Sequence, residues 1–272
     1  MAAVAGMGCI AGPGRGIAAL REGMRARSPR TLGAFDPRDH LAMKGLRPLS
    51  RASGLAAVAA ADALEGGVRP AACGVVLGTL WASIGPLVEF ERTAAQEGPH
   101  AVSPSEFANV VVNVHAGYLG ILFGLEGPNV TLCGAAAGLE AVGHACDVLA
   151  LGRADAVLCG GVDDASPAVR SMQEDPGEGA GLLLLTRGTA PATVAGWARD
   201  PDAALAAAGL TPSSVDSMWH SDDVAAALGD CRAATGALAA VLAADAAARG
   251  DVAVATAPGV AVVFAPPVRP QR

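Results

Sequence analysis

Short β-branched runs alternate with alanine-rich stretches from one end of this chain to the other, and few architectures accept that alternation. Periodicity predicts strands over Val4–Ile10, Gly74–Gly78, Val130–Leu132, Ala156–Val162, Gly181–Thr186, Thr193–Trp197 and Val215–Trp219, with more strand material from Val252 to Phe264. Helices are predicted over Arg15–Arg27, Ala52–Glu65, Pro104–Leu119, Ala137–Leu151, Asp202–Ala208 and Thr235–Arg249. Ser103 is placed to cap the third of these, with Pro104 in its first turn. The pattern specifies an α/β fold, a buried sheet with helices on its faces. With 272 residues, 52% of them hydrophobic, the chain can bury a large core as one compact domain or two closely packed halves.

Gly, Pro, Arg or Asp interrupts every apolar run well short of the ~20 residues that a membrane-spanning helix needs. The N-terminus reads as a first strand rather than a signal peptide, so a cytoplasmic location is expected. Six scattered cysteines, Cys9, Cys73, Cys133, Cys146, Cys159 and Cys231, fit reduced and buried thiols. No histidine or cysteine spacing supports a metal site, and no cofactor is implied. A net charge of −7 argues against nucleic acid as a partner. Between Arg15 and Arg51, however, nine basic residues face only Glu22, Asp36 and Asp39. That stretch reads as a solvated face, with docking of an acidic partner as the alternative.

The most specific local feature runs from Gly127 to Glu140, where a strand turns sharply into a helix through Cys133-Gly134-Ala135-Ala136-Ala137. Enzymes often hold a nucleophile at such an elbow, yet this one is lined with alanine. Four further segments accompany it in order: the opening Val4–Gly16, Phe35-Asp36-Pro37, Ala154–Asp163 with its paired glycines, and Gly177-Glu178-Gly179-Ala180-Gly181. Together they resemble the β-ketoacyl synthases of the thiolase superfamily, and more closely their non-catalytic partners, the chain-length factors. The resemblance covers most of residues 1–190 and thins over 191–272.

The resemblance implies a layered α-β-α-β-α thiolase-like fold with a shortened second half, holding a strand or two, two helices and a closing strand. In an active synthase a cysteine at the elbow takes the acyl chain, and two histidines and a lysine assist. Here the nucleophile position falls on Ala135 or Ala136, depending on the direction of counting. His220 is a vestige of the first histidine, without its turn, and Asp230 stands where the second is expected. Lys44, the only lysine, lies far from the motif. Cys133, two or three residues upstream of the elbow, is expected to be buried in the core.

The resemblance therefore implies a subunit without bond chemistry of its own. It would pair, as a heterodimer or heterotetramer, with an active ketosynthase, and meet acyl carrier protein through the complex. Products by analogy are polyketides or polyenes, including aryl polyenes. Family members pair across the strand before the elbow, which points to Asn109, Val112, Asn113, His115, Tyr118, Leu132 and Cys133 as interface or tunnel residues. For His115 and Tyr118 ordinary core packing is the competing reading. The rival function is a diverged acyltransferase or decarboxylase using Cys133 or His220. The truncated half is expected to leave a large apolar patch that needs a partner.

Overall fold

A computed structural model describes residues 1–26, 28–65 and 72–267; the end of the first predicted helix, at Arg27, lies outside them. The chain runs β1 (Ala2–Ala11), β2 (Gly14–Arg15), α1 (Ile17–Arg25), α2 (Arg51–Glu65), β3 (Cys73–Thr79), α3 (Ile84–Glu97), α4 (Pro104–Phe107), α5 (Val114–Phe123), β4 (Asn129–Cys133) and α6 (Ala137–Ala150). It continues through β5 (Ala156–Asp163), α7 (Pro167–Met172), β6 (Gly179–Thr186), β7 (Ala192–Ala198), α8 (Pro201–Ala207), β8 (Ser217–His220), α9 (Ser221–Leu228), α10 (Ala233–Ala248), β9 (Ala253–Ala257) and β10 (Val260–Ala265).

The strands form one path, β4-β3-β5-β6-β1-β7-β10-β9-β8, with β2 folded back on β1. Two half-sheets meet where Ala2, Ala3 and Val4 of β1 pair with β7. Pairing senses repeat in the two halves: β1 with β6 and β6 with β5 are antiparallel, and β5 with β3 and β3 with β4 are parallel. Likewise β7 with β10 and β10 with β9 are antiparallel, and β9 with β8 is parallel.

Period-2 alternation sorts the side chains into layers. Leu183, Leu185, Val262 and Phe264 face a central cluster with Leu139 and Val142 of α6 and Leu238, Val241 and Leu242 of α10. Leu182, Leu184, Val75 and Leu77 face outward onto Leu55 and Val58 of α2 and Leu119 of α5. Ala261 and Val263 face the other outer layer, with Ala204 and Leu205 of α8. The result is the five-layered α-β-α-β-α arrangement expected from the sequence. It also explains the alanine-rich helices: α10 is buried from Ala233 to Ala247, so outside the positions of Leu238, Val241 and Leu242 its close neighbours favour small side chains. At the crossing of α6 and α10, a Cβ on Gly138 would lie 2.0 Å from the Ala233 carbonyl oxygen.

Three expectations need correction. The predicted helix Pro104–Leu119 is broken: α4 passes into a 3₁₀ turn at Ala108–Val110, Val111 is extended, and α5 starts anew after Asn113. The run Val110-Val111-Val112 is β-branched and holds helix poorly, and the Ser83 hydroxyl captures the Val111 carbonyl oxygen at 3.0 Å. The second half is richer than expected, with four strands and three helices among the described residues. Nor do the described residues of that half carry the expected apolar patch. Of the exposed large apolar side chains among the described residues, Val88, Phe107, Val111, Val112 and Ile121 all belong to the stretch between β3 and β4, and Met218 alone lies beyond residue 191. No single described helix is long and apolar enough to cross a membrane.

Candidate functional site

The elbow is built by β4 and the first turn of α6. Gly134 N–H donates to the Thr79 carbonyl at 3.1 Å, and Ala137 N–H to the Gly134 carbonyl at 3.1 Å, which closes the turn. Ala136 becomes the helix N-cap, while Ala135 is exposed. Of the two candidate nucleophile positions, Ala135 is the one that lines a cavity, shared with Ser221, Asp222, Ala225, Asp230, Arg232, Thr235 and Pro258. Its volume is about 170 Å³, below the roughly 300–1,000 Å³ of ordinary ligand pockets.

The structure thus brings Ala135 and Asp230 together, and adds Arg232 and Gln173, which the sequence did not single out. Arg232 has φ 49°, ψ −118°, a region that non-glycine residues enter at a cost of about 1–3 kcal/mol. A closed polar ring holds it there. Its backbone N–H donates to Asp230 Oδ1 at 2.9 Å, its Nε to Gln173 Oε1 at 2.7 Å, and its Nη1 lies 3.0 Å from Asp230 Oδ2. Gln173 Nε2 in turn donates to the Asp230 carbonyl at 2.6 Å. The carboxylate is thus engaged by a guanidinium, and the elbow opposite offers a methyl group. The sequence signal for Arg232 was its place two residues after Asp230 at a helix start, a position where a cation opposes the helix dipole and needs a local partner.

Beneath the elbow lies a third residue that sequence reasoning passed over except as part of a glycine motif. Asp163 is 1% exposed. It accepts from Thr79 Oγ1 (2.9 Å), Leu80 N (3.1 Å), Trp81 N (2.6 Å) and Ala233 N (3.0 Å). One carboxyl group therefore joins the end of β3, whose Thr79 also holds the elbow, to the first residue of α10. Burial pushes its pKa up to about 7, against the pull of those donors.

The remaining predicted residues scatter. His220 ends β8 outside the cavity lining, its ring Nδ1 2.7 Å from Thr256 Oγ1. Cys133 is exposed, contrary to the expected burial, because β4 is an edge strand with β3 on one side only. Cys9, Cys73, Cys159 and Cys231 are buried as expected, and Cys146 is partly buried. His115 is fully buried, with Nδ1 2.8 Å from Ser53 Oγ and Nε2 3.1 Å from Ser83 Oγ. Burial lowers its pKa to about 4. Asn109 is half-buried and donates to the Pro48 carbonyl at 3.0 Å, Val112 and Asn113 are exposed, and Tyr118 and Leu132 are half-buried. Among the described residues no group of three or more His, Cys, Asp or Glu side chains is placed to hold a metal ion.

Six members of the basic stretch form ion pairs. Arg15 pairs with Asp62, Arg21 with Asp245, Arg25 with Glu22, Arg30 with Asp175, Arg38 with Asp36 and Arg51 with Glu178. Four of these pairs, those of Arg15, Arg21, Arg30 and Arg51, tie the segment to the body of the protein, while Lys44 and Arg47 are exposed and in no ion pair among the described residues.

Comparison with known proteins agrees with this layout. The sequence profile described as "Beta-ketoacyl synthase, N-terminal domain" matches residues 10–173. The chain belongs to the β-ketoacyl synthase family. It is 34% identical over 131 residues to the 3-oxoacyl-[acyl-carrier-protein] synthase 2 of Vibrio cholerae, covering 47% of this chain and 31% of that one. With the enzyme of the same name from Staphylococcus aureus it shares 28% over 187 residues, 56% of this chain and 46% of the relative. The matched region thus spans less than half the length of these relatives. Among solved structures, the ishigamide ketosynthase/chain length factor superposes with TM-score 0.77 at 23% identity, over 97% of this chain and 98% of that chain. The ketosynthase ApeO in complex with its chain length factor ApeC, from Xenorhabdus doucetiae, gives TM-score 0.74 at 15% identity, over 98% of each chain. Such identities establish a shared ketosynthase fold.

Proposed function

We propose that this chain is a non-catalytic subunit of the chain-length-factor type. It pairs with an active ketosynthase and shapes the acyl tunnel of a type II polyketide or polyene system. One observation carries the reading: a methyl group stands at the elbow, and the group facing it is a carboxylate already bound to Arg232. A nucleophile and a base are both missing from the place where acyl transfer needs them. The named ketosynthase/chain length factor pairs among the structural neighbours support the same reading. In this proposal the partner contact is the open edge of β4 with the exposed Val111, Val112 and Asn113. The acyl carrier protein engages the complex mainly through the active subunit, and residues 1–190 and 191–272 act as two halves of one unit.

Co-expression with an active ketosynthase is expected to yield a stable mixed dimer by size-exclusion chromatography with light scattering. Val112→Asp should weaken it at least tenfold, since a charge in an apolar contact loses its hydration. A ketosynthase that stays soluble, active and unchanged in product length without this chain would count against the proposal.

Exposure of Cys133 favours testing the rival reading directly. Iodoacetamide should label Cys133 in the isolated chain and be excluded in the mixed dimer, because the thiol ends the edge strand. A covalent acyl adduct on Cys133, with turnover by the chain alone, would establish an enzyme instead.

A further inference from the structure

The two half-sheets match strand for strand except at one place. Outside β3, and parallel to it, lies β4; outside β8, which occupies the equivalent position beyond β9, no strand lies among the described residues. The chain passes from β8 through α9 directly to α10, where the first half inserts β4 before α6. Ser217 N–H donates to the Val252 carbonyl at 3.3 Å, so Ser217 and Trp219 turn their backbone groups toward β9. By the two-residue period of a parallel ladder, Met218 and His220 turn theirs to the open side.

Two further observations mark this edge. Ser217 Oγ and Trp219 Nε1 are both buried without a hydrogen-bond partner, so successive inward side chains of β8 are left polar and unsatisfied. Next to the strand, Asp222 and Asp223 are exposed in the first turn of α9 and take part in no ion pair among the described residues. A second copy of this chain would bring those acids together, so like charges oppose self-pairing.

We propose that the open edge of β8 accepts one basic, extended segment of a partner polypeptide, which adds as a parallel strand in the position that β4 fills in the first half. Backbone hydrogen bonds to Met218 and His220 supply the docking, and Asp222 and Asp223 select positive charge. The site lies at the opposite end of the sheet from β4, so it is independent of the ketosynthase contact proposed above and can be occupied at the same time.

The test uses the full chain and a fluorescein-labelled peptide of alternating lysine and valine, read by fluorescence anisotropy. Binding is expected, with slowed hydrogen exchange at the Met218 and His220 amides. N-methylation of alternate peptide amides, which keeps the charge and removes donors, should weaken binding about tenfold or more. Asp222→Asn with Asp223→Asn should also weaken it about tenfold and flatten its salt dependence. Met218→Pro removes an outward N–H without breaking the ladder to β9, and should abolish protection at the edge. Equal binding of the methylated peptide would reduce the site to charge attraction and overturn the proposal. So would no binding of the lysine–valine peptide, or β8-dependent dimerisation of the chain itself.

Discussion

Asp163→Ala is expected to remove several kcal/mol of stability, enough to leave the chain largely unfolded at 37 °C. The side chain is wholly interior, and its loss strands the Thr79 hydroxyl and the amides of Leu80, Trp81 and Ala233. Each buried group left unpaired costs about 1–3 kcal/mol, against a total of roughly 5–15 kcal/mol for a domain. Urea unfolding followed by circular dichroism measures this directly. A loss under about 1 kcal/mol would show that water or backbone movement replaces the carboxylate.

The same residue sets an unusual dependence on pH. Its folded pKa of about 7 lies above the ordinary 3.8, so its stabilising contribution is complete below 3.8 and fades as pH rises to about 7. Asp164, lifted by burial to about 6, acts in the same direction. His115 acts the opposite way. Its folded pKa of about 4 lies below the ordinary 6.5, so its contribution is present above 6.5 and is lost as pH falls toward 4. Two carboxyl groups against one imidazole leave the wild-type stability falling as pH rises from about 4 to 6, at about half the slope of the carboxyls alone. His115→Gln should expose the carboxyl limb, with stability falling as pH rises across that window. An unchanged profile in that variant would mean that these groups do not titrate as their burial demands.

Glu178→Ala is the second large effect, at about 2–4 kcal/mol, because it strands the Leu32 amide and the half-buried Arg51 guanidinium. Glu178 is 0% exposed and accepts from Arg51 Nε at 2.7 Å, Arg51 Nη2 at 2.6 Å and Leu32 N at 2.7 Å. The pair fastens the first residue of α2 to the residue before β6, and Arg51 also lies over the Phe35 ring, 5.4 Å from its centroid. Removing Arg51 as well should cost little more than Glu178→Ala alone, since the uncompensated charge goes with it. Additive losses in the double variant would place the stabilisation elsewhere.

Much of this protein was legible in its residues because the signals are local. Short continuous apolar runs such as Leu182–Leu185 and the alanine-rich stretches fixed strands and central helices, and the turn after Cys133 showed an elbow without a nucleophile. The acid Glu178 could be seen in its motif, but its buried pairing with Arg51 could not. The break in the helix at Val111–Asn113 was written in three consecutive β-branched residues, yet it needed Ser83 to fix it.

Strand order decided the rest. Cys133 is exposed because β4 ends the sheet, and no property of Asn129–Cys133 itself says which strand lies at an edge. His115 became a core residue because Ser53 and Ser83, distant in sequence, close on its two nitrogens. Ala135 and Asp230 share one cavity only because α6 and α10 cross between the two half-sheets. Backbone propensity and periodicity act over a few residues and are carried by the sequence. Which groups meet, which lose their water and which edge stays open depend on packing between segments far apart in the chain, and only the folded structure specifies that.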